Sequence, residues 1–153
     1  MDNDLSQGRE LIRQICYQCH TSRTTAQLPP SLTQVLMKIL ILNLVIAAIF
    51  LLSGGAKLAG LEFEIAAFER WGYPLWFMYL TGALEVLGGV GLWVKRVSAL
   101  AAACLAALMI GAVATHILHS EWGMLVAAAV IMGLAATRAW LGRNEILALL
   151  SRG

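Results

Sequence analysis

The sequence predicts an all-α integral membrane protein folded as an antiparallel four-helix bundle. Three observations predict it. Of the 153 residues, 59% are hydrophobic and only 13% charged, where a soluble domain carries roughly 45–50% apolar and about 25% charged residues. The apolar residues fall in four continuous runs, each near the roughly 20 residues that cross about 30 Å of hydrocarbon as a helix. The turns between the second, third and fourth runs are very short, which makes their helices antiparallel neighbours. The runs do not alternate apolar with polar, so a β-barrel is excluded, and an open sheet would leave unpaired backbone groups in lipid. The composition excludes a disordered chain. A net charge of +2 with scattered basic residues excludes a nucleic-acid partner.

The first run spans about 37–59, the second 74–94, the third 97–118 and the fourth 122–141. Lys95 and Arg96 turn the chain between the second and third, and His119, Ser120 and Glu121 between the third and fourth. The longer connection, 60–73, reads as a short interfacial helix with Phe68 and Trp71 on its apolar side, ended by Gly72 and Pro74. Trp71, Tyr73 and Trp76 are expected in the aromatic belt. Gly54-Gly55-Ala56 offers small residues of the kind a signal peptidase cuts, but the run is long and lies behind 36 residues, so an uncleaved span is expected.

Charge sets the orientation. Arg9, Arg13, Arg23 and Lys38, then Lys95 and Arg96, then Arg138, Arg143 and Arg152 all fall on one side of a four-span bundle; Arg70, with Lys57 near it, falls on the other. The positive-inside rule then places both termini in the cytoplasm, in a bacterial-type cytoplasmic membrane.

Residues 1–36 are polar and read as an extension, poorly ordered or partly helical, ahead of a membrane domain at 37–153. They carry Cys16-Tyr17-Gln18-Cys19-His20, the spacing of a covalent haem attachment site. Thr21 to Leu36 is too short for the rest of a cytochrome, Pro29-Pro30 interrupts it, and a cytoplasmic location would not supply haem. The expectation is no haem; Cys16, Cys19 and His20 stay open as a weak metal or thiol site, or as a tail without a role.

Ionisable groups at bilayer depth are costly and are by default candidates for function. Lys57, Glu85, His116 and His119 are the ligand-binding or proton-exchange candidates. Lys57 either snorkels to the headgroups or meets Glu85: side chains lean toward a helix N-terminus, so on antiparallel spans these two lean toward each other, across a depth difference of roughly 10 Å by helical rise. Glu85 is either a working acid or a structural carboxyl. Asn43, Ala47, Phe50, Gly54 and Lys57 share one arc of the first helix, and Thr81, Gly82, Glu85, Gly88 and Gly89 form a small, polar stripe on the second. His116 is either a buried structural ring or a working group, and His119 reads as interfacial. Cys104 reads as a small core residue and Met78, Met109, Met124 and Met132 as packing. Lys57, Glu85 and His116 are expected in one polar pocket.

The stretches Phe50-Leu51-Leu52-Ser53-Gly54-Gly55-Ala56-Lys57-Leu58, Trp71-Gly72-Tyr73-Pro74, Gly82-Ala83-Leu84-Glu85-Val86-Leu87-Gly88-Gly89 and Met109-Ile110-Gly111-Ala112-Val113-Ala114-Thr115-His116 resemble the DoxX family, in its small DoxX-like branch. The resemblance runs from about 37 to 141 and does not include the N-terminal extension. It implies four membrane helices. Some relatives are linked to quinone-dependent sulfur oxidation or to thiol and oxidative-stress complexes, others to membrane-protein assembly. Two functions are therefore expected as alternatives: a membrane subunit of a quinone- or thiol-linked redox system, with a quinone as the candidate cofactor and a membrane or redox protein as partner, or a non-catalytic assembly factor that packs through its Gly and Ala faces, such as Ala99, Ala101–Ala103 and Ala127–Ala129. A small transporter ranks behind both, since no repeat or broken helix is evident and four spans would have to form a homo-oligomer.

Overall fold

The computed structural model describes residues 30–151; Cys16, Cys19 and His20 lie outside them. All of the described secondary structure is helical: α1 (Pro30–Leu58), α2 (Glu62–Arg70), α3 (Leu75–Gly91), α4 (Ser98–Leu118), α5 (Trp122–Leu141) and α6 (Arg143–Leu150). From Met37 onward the described residues form one compact unit. The chain is an integral membrane protein. Among the described residues, three helices are long and apolar enough to cross a bilayer, within Thr33–Leu58, Ser98–Leu118 and Trp122–Leu141. The fourth expected span is shorter: α3 has 17 residues, about 26 Å at the usual rise. Leu75 starts it because Pro74 ahead cannot donate into a helix, and after Gly91 the chain tightens into i→i−3 turns through Val94. The terminal helix α6 was not expected from the sequence.

Three helix ends share one device. Gly60 (φ 63°), Gly72 (φ 76°) and Ser120 (φ 56°) take the left-handed conformation. In each case the next N–H reaches back to the carbonyl five residues earlier: Leu61 to Ala56, Tyr73 to Phe68 and Glu121 to His116. This turn satisfies otherwise orphaned carbonyls and reverses the chain within two residues. Glycine accepts that φ without strain; at Ser120 the chain has no such signal.

Ile46, Ala47 and Phe50 of α1 pack with Leu92, with Ala102, Leu105 and Met109 of α4 and with Ala135 of α5 in a buried cluster. The opposite faces are apolar and exposed, as at Leu52, Leu87, Ile110 and Val126, the pattern of helices solvated by lipid. Glycines set the closest approach: a Cβ at Gly54 would lie 2.7 Å from the Gly82 carbonyl oxygen, one at Gly82 2.8 Å from Lys57 Cβ, and one at Gly89 3.1 Å from Leu51. The small stripe read from the sequence is thus a packing surface between α1 and α3. Cys104 departs from expectation: it is exposed. Met78 and Met109 are core residues, Met132 is half-buried, and Met124 is mostly exposed. Trp71 and Tyr73 turn inward, leaving Trp76 exposed.

One end of this unit is tied by Arg138, counted from the sequence only as a flanking charge. Its side chain is 4% exposed. Nε donates to Asn43 Oδ1 (2.8 Å) and Nη2 to Ser98 Oγ (2.7 Å), with Glu145 of α6 at 3.4 Å. Asn43 in turn donates to the Leu92 carbonyl (3.2 Å). A Cβ at Gly142 would collide with Arg138 Nη1 and Ala99. This arginine therefore joins α1, α4, α5, α6 and the end of α3, and its charge is compensated by dipoles more than by its half-exposed carboxylate.

Candidate functional site

The other end holds Lys57, Glu64, Glu85, His116 and Glu121. Ser53 and Lys57 lie one turn apart on α1, so the ammonium reaches the Ser53 hydroxyl at 2.8 Å. Its other partners come from two different helices: Glu85 Oε2 of α3 at 3.3 Å and Glu64 Oε1 of α2 at 3.5 Å. Lys57 and Glu85 thus meet directly. The rise-based separation is closed by the opposed lean of the two side chains and by the Gly54–Gly82 contact one turn away. The three side chains are 11%, 5% and 14% exposed for Lys57, Glu85 and Glu64. Two carboxyls therefore face one ammonium out of bulk water, where Coulomb interactions are strong and desolvation is costly. Glu64 was read only as part of an interfacial helix; its spacing carried no sign that it would turn toward α1.

A second cluster centres on Glu121. The turn at Ser120 brings its carboxylate beside the end of α4. His116 Nδ1 lies 2.8 Å from Oε2, and Arg70 Nη2 (2.7 Å) and Trp71 Nε1 (3.3 Å) donate to Oε1. Trp71 stands edge-on to the His116 ring at 5.5 Å. Beside it, Tyr73 and Thr115 share a hydroxyl–hydroxyl hydrogen bond of 3.1 Å. Phe68, Trp71, Tyr73 and Phe77 form one aromatic group. The hydrogen bond with His116, with those from Trp71 and Arg70, holds the Glu121 carboxyl below its ordinary value of 4.5. A lowered folded-state value means that this contribution to stability is present above pH 4.5 and is lost as pH falls through the lowered value. Acid titration followed by Trp fluorescence is expected to show a transition below pH 4.5 that disappears in Glu121→Gln; an identical transition in the variant would assign it elsewhere.

Both clusters contribute to the lining of one partly open cavity of about 340 Å³, bounded by α1 to α5. Lys57, Glu64 and Glu85 contribute from one cluster, Trp71, Tyr73, Thr115 and His116 from the other, with Phe68, Phe77, Leu108, Met109 and Ile131 among the apolar walls. Of the four candidates, the fold brings Lys57, Glu85 and His116 to this cavity. His119 does not line it: it is exposed and touches the Trp71 ring at 6.4 Å. The cavity is large enough for a small ring compound; ligand sites are typically about 300–1,000 Å³, mostly apolar, with a few convergent polar groups. Among the described residues no group of three His, Cys, Asp or Glu side chains is placed to hold a metal ion.

The sequence profile of the DoxX-like family matches residues 41–138, a range that includes every cavity-lining residue. The uncharacterized protein YdgD of Bacillus subtilis (strain 168) is 31% identical over 85 residues, which cover 52% of this chain and 75% of that protein. No solved structure matches. With the family profile covering the helices that build both the core and the cavity, the chain belongs to the DoxX-like family.

Proposed function

We propose that the protein is a membrane subunit of a redox system and that its cavity holds a lipid-soluble ring compound of the quinone class. The observation that carries this reading is the cavity itself: an apolar, aromatic-walled space of about 340 Å³ to which Lys57, Glu85 and His116 converge. Such a ligand partitions into lipid, matches the apolar walls to which Phe68, Phe77 and Ile131 contribute, and offers oxygens to the polar groups. The chain's residues would bind and orient the ring and exchange protons with it; electrons would pass to or from a partner protein.

Mass spectrometry and absorbance of the protein purified in gentle detergent test this. A quinone is expected to co-purify with the native chain and to be lost in Glu85→Gln and His116→Ala. Equal retention in both variants would sink the proposal. A helper role keeps one supporting observation: Ala129, Gly133 and Ala136 are exposed at one-turn spacing on α5, a face another helix could approach closely. Ala99, Ala102, Ala128 and Ala135, by contrast, are used inside the fold. Recovery of a second membrane protein with no ligand would favour that role.

We further propose that α3 also spans the bilayer, prolonged through Val94 to about 20 residues, the usual spanning length. Lys38, Lys95, Arg96, Arg138 and Arg143 then mark the cytoplasmic side, with both termini on it. In intact cells, a cysteine introduced at Lys95 in a Cys-free background should resist an impermeant thiol reagent; ready labelling would reverse the orientation.

A further inference from the structure

We propose that Glu121 is a positioning residue that fixes the His116 tautomer, so that the cavity selects a hydroxyl-bearing ring, a phenol or the reduced dihydroxy form of a quinone. This rests on the reading of the cavity as a ligand site. A carboxylate only accepts hydrogen bonds. Glu121 lies 2.8 Å from His116 Nδ1 and is held as a carboxylate by Arg70 and Trp71 as well, so the ring proton sits on Nδ1. The lone pair of the neutral ring is then on Nε2.

Nε2 makes no hydrogen bond among the described residues, and the only enclosed side-chain N or O atom without a partner among them is Arg138 Nη1. Nε2 is therefore unpaired yet open, on a ring that lines the cavity. Trp71, edge-on at 81°, holds the ring plane. The other charged and titratable groups around this ring are Arg70, His119 across Trp71, Tyr73 beside Thr115, and Lys57, Glu64 and Glu85 on the cavity wall.

An unpaired acceptor at a largely buried position discriminates by what it is offered. A ligand hydroxyl satisfies it; a carbonyl or ether oxygen leaves two acceptors facing each other. Where the hydroxyl ionises, its proton moves to Nε2, the O–H electron pair stays on the ligand oxygen, and the imidazolium is balanced by the Glu121 carboxylate.

The test uses the full chain in detergent without oxygen, with trimethylhydroquinone and its dimethyl ether as probes. The native protein should bind the hydroquinone about tenfold more tightly than the ether, and Glu121→Ala and His116→Phe should each bring that ratio close to one. Nitrogen NMR of histidine-labelled protein at mildly alkaline pH should show His116 protonated on Nδ1, and Glu121→Ala should move the proton toward Nε2. The native-chain spectrum decides the tautomer even where a variant fails to fold. Equal binding of the two probes overturns the selectivity while leaving the ligand reading standing, and an Nε2-protonated His116 overturns the role of Glu121. Binding of neither probe overturns the ligand reading and the selectivity together.

Discussion

Replacing Glu85 with Leu is expected to cost about 3–5 kcal/mol of stability, the usual cost of breaking a buried ion pair by removing one partner. Glu85 is 4% exposed, and its loss leaves the Lys57 ammonium with the Ser53 hydroxyl and the more distant Glu64 at 3.5 Å. Lys57→Met should cost a similar amount, because it leaves two inward-facing carboxyls with no cation. The double variant Lys57→Met/Glu85→Leu should be more stable than either single one, since apolar side chains of similar volume replace a desolvated pair. Unfolding in mild detergent measures the cycle. A double variant whose loss equals the sum of the singles would mean that the pair is not coupled in the folded protein. The double variant also separates two roles: it should fold yet fail to retain the cavity ligand. Retention would remove Lys57 and Glu85 from the ligand site and leave them as structure.

Gly54→Val should destabilise the protein by about 3 kcal/mol, at the upper end of overpacking costs. The new Cβ would lie 2.7 Å from the Gly82 carbonyl oxygen and 2.9 Å from Glu85 Cβ. A backbone carbonyl cannot swing aside as a side-chain tip can, so α1 and α3 must separate, and the Lys57–Glu85 contact opens with them. The neighbouring glycine is the control. A Cβ at Gly55 meets nothing within 4 Å, so Gly55→Ala should gain up to about 1 kcal/mol from helix propensity alone. Thermal unfolding of the two variants side by side checks this. Similar losses at both positions would show that glycine serves α1 by flexibility and not by close approach.

The inward face of α1 was legible because burial on a helix repeats every 3.6 residues: Ala47 and Phe50 are each 1% exposed, and Gly54 is buried on the same arc. The encounter of Lys57 with Glu85 was legible for a related reason, since antiparallel helices lean their side chains in opposite directions. Glu121 was not legible. It sits five residues from His116 across a turn whose left-handed residue is serine, so neither helical spacing nor a glycine marks it. The inward turn of Trp71 and Tyr73 was missed because aromatic side chains at an interface suit lipid and protein packing equally well.

What the sequence by itself determined is the class of the molecule, three of its membrane helices and the inward face of the first. Those follow from hydropathy and period, which are sums over many residues and tolerate small errors of place. Only the tertiary structure decided that Arg138 is buried among Asn43 and Ser98, that α3 ends short, that Cys104 faces outward, and that Glu121 fastens His116 at the cavity wall. Each depends on where a helix stops or how closely two helices cross, and a shift of an ångström or two makes or breaks a hydrogen bond without changing the hydropathy pattern at all.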